Sequence, residues 1–180
     1  MSTPDLKSLV LAGTIGAVLS VSSLVLAADA PVRLGTPVTE AQLSEIDLIV
    51  MPDGKGLPAG SGTAAQGQAV YDQQCAACHG ALGEGTQGVP ALAGGTLTGT
   101  PILMTAGSYW PHASTLYDYI RRAMPPTAPK SLSNTEVYQV VAYVLHLSGI
   151  VERDFVLDAS NLPQVQMPNR DGFIDRSQEQ

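Results

Sequence analysis

The first pattern along the chain is one long apolar run, Leu9–Ala28, with Lys7 just ahead of it and small residues at its exit. A weakly positive start, an apolar middle and Val25-Leu26-Ala27 before Ala28 read as a secretory signal over residues 1–27. The run also approaches the ~20 residues that span a bilayer, so an uncleaved membrane anchor is the alternative. Four Ser or Thr and two Gly within it favour the signal. Either way the rest of the chain is expected outside the cytoplasm, in the periplasm.

Helical periodicity appears three times farther on. Thr63 with Gln66 forms a capping box after the breakers Pro58, Gly60 and Gly62, and predicts a helix running through Val70 and Tyr71 towards Gln74. A second helix is predicted from near Ser114, with Leu116, Ile120 and Met124 on one face, and Pro125-Pro126 ends it. Asp118 sits early in it and Arg121 and Arg122 late, as the helix dipole prefers. The third has a Ser133/Glu136 capping box, a stripe of Val137, Val140, Val141, Val144 and Leu145, and Gly149 as terminator. Residues 80–112 read mostly as loop, and no run alternates cleanly enough to demand a strand. The fold class expected is all-α, a small helical domain with a long loop wrapped around something.

Charge divides the chain further. The whole carries −7; residues 28–62 and 151–180 each carry −3, while residues 63–150 carry −1. The expected organisation is therefore an acidic extension over 28–62, a domain over 63–150 and an extended C-terminal tail over 151–180. The tail, with Pro163, Pro168 and Asn169-Arg170-Asp171-Gly172, is either disordered or a strap on the domain or on a partner. An acidic chain lacks the basic footprint of a nucleic-acid binder. Nine aromatics, with one Trp and two Phe, are few for an apolar core, which leaves room for a large apolar body other than a side chain.

Both cysteines fall in Cys75-Ala76-Ala77-Cys78-His79, the C-x-x-C-H pattern of c-type haem attachment. Two thiols three positions apart near a helix end reach the vinyl groups along one porphyrin edge, and the next residue, His79, places its imidazole under the iron. A redox dithiol calls for a surrounding βαβ pattern, and zinc calls for four ligands; neither is present in the sequence. Candidates for the second axial ligand are Met51, Met104, Met124, Met167, His112 and His146. Met124 stands out because the Pro125-Pro126 turn behind it can hold a thioether towards iron, although it also continues the apolar stripe of its helix. His112, in a Trp-Pro-His loop, is the better of the two histidines.

At these residues the chain resembles the class I c-type cytochromes. In that family a Gly and an aromatic of the first helix pack on an aromatic of the last, and Gly67, Tyr71 and Tyr143 stand at the matching places. The family's G-x-P-x-L-x-G loop corresponds to Gly88–Gly94; the resemblance implies that Pro90 supports His79 through its carbonyl, and that Met124 is the methionine ligand. The strings GKGLPAGSGTAAQGQAVYDQQCAACHG, GSYWPHASTLYDYIRRAMP and MPNRDGFI also resemble the cytochrome portions of periplasmic sulfite and sulfane dehydrogenases. That resemblance implies one covalent haem c, a molybdopterin dehydrogenase subunit as electron donor, and a soluble cytochrome or oxidase as acceptor.

The expected function is thus single-electron transfer in sulfur oxidation, with no catalysis by the chain alone. Another periplasmic dehydrogenase, such as a quinoprotein, is an alternative donor; a haem enzyme with an open sixth position is the alternative class. Arg121 or Arg122 is a candidate hydrogen-bonding partner for a haem propionate, against a plain dipole role at the helix end. Tyr109 and Trp110 are candidates to line the haem pocket; Tyr117 and Tyr119 read as packing or as propionate donors.

Overall fold

The computed structural model describes residues 35–174, 176 and 177. The export signal expected over residues 1–27 lies outside the described residues, as do residues 28–34 of the acidic extension. From Glu40 onward the chain forms one compact unit. Its elements are α1 (Glu40–Ile46), β1 (Ser61–Gly62), α2 (Ala64–Gln74), α3 (Ala76–His79), α4 (Ala106–Tyr109), α5 (Ala113–Ala123), α6 (Asn134–Leu147), β2 (Leu157–Asp158) and a 3-10 turn at Leu162–Gln164. The architecture is all-α, as the periodicity predicts. No described helix is long and apolar enough to cross a membrane.

The three predicted helices form where their caps place them. Thr63 Oγ1 accepts from the Gln66 N–H while Gln66 Oε1 accepts from the Thr63 N–H, so two orphan donors at the start of α2 are satisfied reciprocally. Ser133 and Glu136 do the same for α6. Its other end closes as a Schellman motif: the Gly149 N–H reaches His146 O at 2.8 Å and the Ile150 N–H reaches Leu145 O at 2.9 Å, with Gly149 at φ 69°. Without that left-handed residue the last carbonyls of α6 would lack donors.

Helix α6 is the centre of the core. Val137, Tyr138 and all six residues from Val140 to Leu145 are buried, so the helix is covered on nearly every side. α2 crosses it most intimately, because Gly67 lies directly against the Gln139 backbone; a Cβ there would stand 2.5 Å from the Gln139 carbonyl carbon and 3.1 Å from Tyr143 Cβ. One turn on, Tyr71 and Tyr143 pack with ring centroids 5.1 Å apart and planes at 54°. α5 covers another side of α6 through Leu116, Tyr117 and Ile120, with Tyr117 against Tyr138 at 4.5 Å. Each fully buried Val or Leu here contributes about 1.5–3 kcal/mol.

The core does not stop at residues 63 and 150. Val50 is buried on the N-terminal side, and Leu157, Leu162, Val165 and Met167 are buried on the C-terminal side. The two flanks also meet: β1 pairs antiparallel with β2, Ser61 opposite Asp158 and Gly62 opposite Leu157. Two residues per strand are too few to alternate visibly, which is why the sequence carries no strand signal. Tyr138 Oη donates to the Pro58 carbonyl at 2.9 Å, and the Ala65 N–H donates to Arg153 O at 3.1 Å. The C-terminal tail is therefore a strap lying on its own domain. Within the predicted loop 80–112, the short helix α4 forms on a Thr105/Ser108 capping box. That signal is a Thr-x-x-Ser, weaker in sequence than the Thr/Gln and Ser/Glu boxes.

Candidate haem-attachment site

Cys75 ends α2 and begins α3, so both thiols and His79 ride on one helical turn continuing the first core helix. The Cys75 N–H still bonds Tyr71 O at 2.8 Å, and the His79 N–H bonds Cys75 O at 2.9 Å. Gly80, at φ 81°, then breaks the helix. The turn is fastened from three outside points: Tyr71 Oη donates to Gly80 O at 2.9 Å, Thr86 Oγ1 to Cys78 O at 2.7 Å, and the Gly85 N–H to His79 O at 2.7 Å. Burial is the main reason the Tyr71 hydroxyl titrates above the ordinary tyrosine range.

The two cysteines are free of any disulfide, Cys75 half-buried and Cys78 exposed. Burial, with the neighbouring Cys78 second, pushes the Cys75 thiol up to about 11. A redox-active dithiol requires the opposite, a thiol pulled below its usual range. Nor do the described residues contain a group of three or more His, Cys, Asp or Glu able to hold a metal ion. The donor set fits haem c instead: two unbridged thiols one helical turn apart and an adjacent imidazole.

The imidazole is already aimed. His79 Nδ1 lies 3.0 Å from the Pro90 carbonyl oxygen. With its proton on Nδ1 donated to that oxygen, Nε2 keeps the free lone pair an iron needs. Pro90 is presented by a narrow turn in which Thr86 and Val89 bond each other both ways, at 3.1 and 3.0 Å. Leu92 and Ala93 N–H groups then tie the loop to Gly83 O at 2.8 and 3.1 Å. The Gly88–Gly94 loop thus reaches His79 across 11 residues of sequence.

The other candidates are distributed as follows. Met124 caps the C-terminus of α5, half-buried against the core, with its N–H on Ile120 O at 3.1 Å. Met51 and Met104 are solvent-exposed, and Met167, only 4% exposed, is packed into the core. His146 Nδ1 lies 3.1 Å from Val151 O and so belongs to the C-terminal end of α6. His112 stands at the N-cap of α5 and makes no capping bond; its buried Nδ1 has no hydrogen-bonding partner among the described residues.

Arg121 Nη1 donates to Leu48 O at 3.3 Å. Arg122 grips Asp118, Nε to Oδ1 at 3.0 Å and Nη2 to Oδ2. Both guanidiniums therefore have protein partners of their own, and neither pairing is visible in the sequence: Leu48 is 73 residues away, and Asp118 reads there as a dipole charge. Trp110 packs edge-on to Tyr119 at 5.6 Å, and the exposed Tyr109 packs on Phe173 of the tail at 5.2 Å. Tyr117 Oη donates to Asn134 O at 3.4 Å, which assigns it to packing between α5 and the start of α6.

Residues 62–144 match the family described as cytochrome c oxidase, cbb3-type, subunit III. Among curated proteins, the cbb3-type cytochrome c oxidase subunit CcoP of Azospirillum sp. (strain B510) is 32% identical over 118 residues, covering 62% of this chain; the chain spans 38% of that protein's length. Among solved structures, the sulfane dehydrogenase SoxCD from Paracoccus pantotrophus matches at 44% identity with a TM-score of 0.76, over 82% of this chain and 74% of the matched one. That match covers more of the chain than the 62–144 segment does. The chain belongs to the class I c-type cytochromes, electron-transfer proteins with covalently bound haem c, in the group represented by the matched chain of sulfane dehydrogenase.

Proposed function

We propose that this chain is the monohaem electron-transfer subunit of a periplasmic molybdenum sulfite or sulfane dehydrogenase. The observation that carries the reading is the His79–Pro90 pairing at 3.0 Å on a turn that presents two unbridged thiols. One such turn and two cysteines in the whole sequence give one haem. Haem c, when bound, supplies a one-electron iron couple whose potential depends on its axial ligands. Cys75 and Cys78 would hold it by thioethers, and His79 through Nε2 and Met124 through its sulfur would ligate the iron. Pro90 fixes the plane and tautomer of the imidazole, and Tyr71 and Thr86 hold the turn that carries it.

A sulfur dehydrogenase as donor is supported by the 44% identity to the SoxCD chain, sustained over 82% of this one. The oxidised partner is a molybdopterin subunit, and the electron goes on to a soluble cytochrome or an oxidase. Export to the periplasm follows from the 1–27 segment as read in the sequence.

Two experiments test this. The purified ferric protein is expected to display a methionine-to-iron charge-transfer band that Met124→Ala abolishes; a high-spin spectrum in the unmodified protein refutes the six-coordinate reading. The complex purified through this chain from its native periplasm is expected to contain molybdenum. Recovery with a quinoprotein, or alone, refutes the sulfur-dehydrogenase assignment.

A further inference from the structure

Three side chains along one face of α5 reach the same stretch of N-terminal chain. Ser114 Oγ donates to the Pro52 carbonyl at 2.7 Å, Asp118 Oδ1 accepts from the Val50 N–H at 2.8 Å, and Arg121 Nη1 donates to the Leu48 carbonyl at 3.3 Å. Helix numbers rise as arm numbers fall, so the arm runs antiparallel to the helix. The two repeats keep step. Each step of two residues along the arm is matched by a step of three or four along the helix.

Asp118 is the centre of this arrangement. It is 8% exposed, and the Val50 N–H, Arg122 Nε and Arg122 Nη2 all converge on its carboxylate. A charged group kept that far from water is held by its partners rather than by solvent. The arm itself is shaped for the contact. Val50 is 5% exposed, and the Met51 N–H bonds Lys55 O at 2.9 Å to close a loop behind it.

α5 is only 11 residues long and ends on Met124. Its buried residues Leu116, Tyr117 and Ile120 pack on the core, which fixes the distance of the helix from α6 but resists rolling less well. Hydrogen bonds at positions 114, 118 and 121 oppose that roll. A ligand at the helix end must be held to about half an ångström to stay on a metal.

We propose that residues 48–52 are a clasp on the ligand helix and that Asp118 is a positioning residue for the Met124 thioether. The proposal rests on Met124 being the sixth ligand. Releasing the arm lets α5 turn and weakens the thioether bond before the domain unfolds.

The test uses the haem-loaded protein in increasing urea. It follows the ferric methionine-to-iron band, the far-UV helix signal, and protease cleavage of the arm around residues 47–56. Asp118→Ala is expected to lose the band at a urea concentration where the helix signal is still intact. Its arm is expected to be cut about tenfold or more faster than in the unmodified protein. Asp118→Asn, which keeps an oxygen for the Val50 N–H, should recover part of both effects. Val50→Pro removes the same bond from the arm side, leaves α5 untouched, and should reproduce Asp118→Ala; it decides the matter if Asp118→Ala does not fold. Loss of band and helix signal together, at whatever urea concentration, overturns the clasp and leaves Asp118 a general stabiliser. Unchanged behaviour of both variants overturns it equally. Persistence of the band in Met124→Ala sinks the ligand assignment itself, and is told apart because it appears without any change at the arm.

Discussion

Gly67→Ala sets two rules against each other at one atom. Gly inside a helix costs about 1 kcal/mol relative to Ala, so propensity alone predicts that the substitution stabilises α2. The tertiary contact predicts the reverse. The new methyl carbon would sit 2.5 Å from the Gln139 carbonyl carbon, where about 3.5–4 Å is the comfortable separation. That neighbour is backbone of a helix buried on nearly all sides, so it cannot swing away. The helices must part by about 1 Å, and a gap of that size forfeits a quarter to a half of each close contact along the crossing, including that of Tyr71 with Tyr143. Taking about 3 kcal/mol for forced overpacking against a gain of about 1 kcal/mol leaves a net loss near 2 kcal/mol. In a domain of this size that lowers Tm by about 8 °C. Thermal melts of the haem-loaded protein by far-UV circular dichroism read the difference. Ala69→Gly, at an exposed position of the same helix, is the control: it makes the opposite exchange where nothing packs closely, and should cost about 1 kcal/mol by propensity alone. An unchanged or higher Tm for Gly67→Ala would refute the close-crossing argument.

Three further substitutions or titrations follow from the same contacts. Tyr138→Phe removes the buried hydroxyl that donates to Pro58 O at 2.9 Å; urea unfolding should show a loss of about 1 kcal/mol at an unchanged m-value. Ser133→Ala breaks the reciprocal cap on α6 and should cost about 1 kcal/mol, whereas Ser131→Ala, outside the cap, should cost nothing measurable. Alkaline pH should destabilise the fold. Burial raises the Tyr71 and Tyr117 hydroxyls above their ordinary range and pushes Tyr138 up to about 12, so the folded state holds protons that the unfolded chain releases near pH 10. Their contribution is whole below pH 10 and is lost as pH climbs from there towards 12; a urea midpoint flat across that interval would contradict it. Tyr138→Phe should flatten part of the decline.

Local signals carry much of this protein. The capping boxes at Thr63 and Ser133 and the stripe from Val137 to Leu145 are read within five to a dozen residues, and the helices they announce are present because the same local hydrogen bonds form in the folded chain. The attachment motif is equally local, since its five residues occupy one turn. Gly67, Tyr71 and Tyr143 can be paired only through a family resemblance; nothing in their own neighbourhoods reveals that a backbone 72 residues away demands the glycine.

The arms are the least legible part of the chain. Their charge suggests solvated extensions, but the decisive residues are few and apolar: Val50, Leu157, Leu162, Val165 and Met167 are spaced too irregularly for any period and acquire meaning only where α5 and α6 leave surface to cover. Arg121 and Asp118 are similar cases. A charge near a helix end suits the dipole wherever it is, so sequence cannot tell that role from a bond to Leu48 or Val50.

Sequence by itself announced the three main helices of the central domain and the C-x-x-C-H turn on which the haem reading rests, because each depends on groups within a few positions of one another. Tertiary structure alone decided that the flanks are part of the core, whereas the carbonyl that orients His79 from 11 residues on was legible through the family resemblance. It also decided that the helix ending in Met124 is tied to an N-terminal arm from the far side of the sequence. Those facts depend on which buried donors meet which carbonyls once the chain is compact, and no short-range pattern encodes such a meeting.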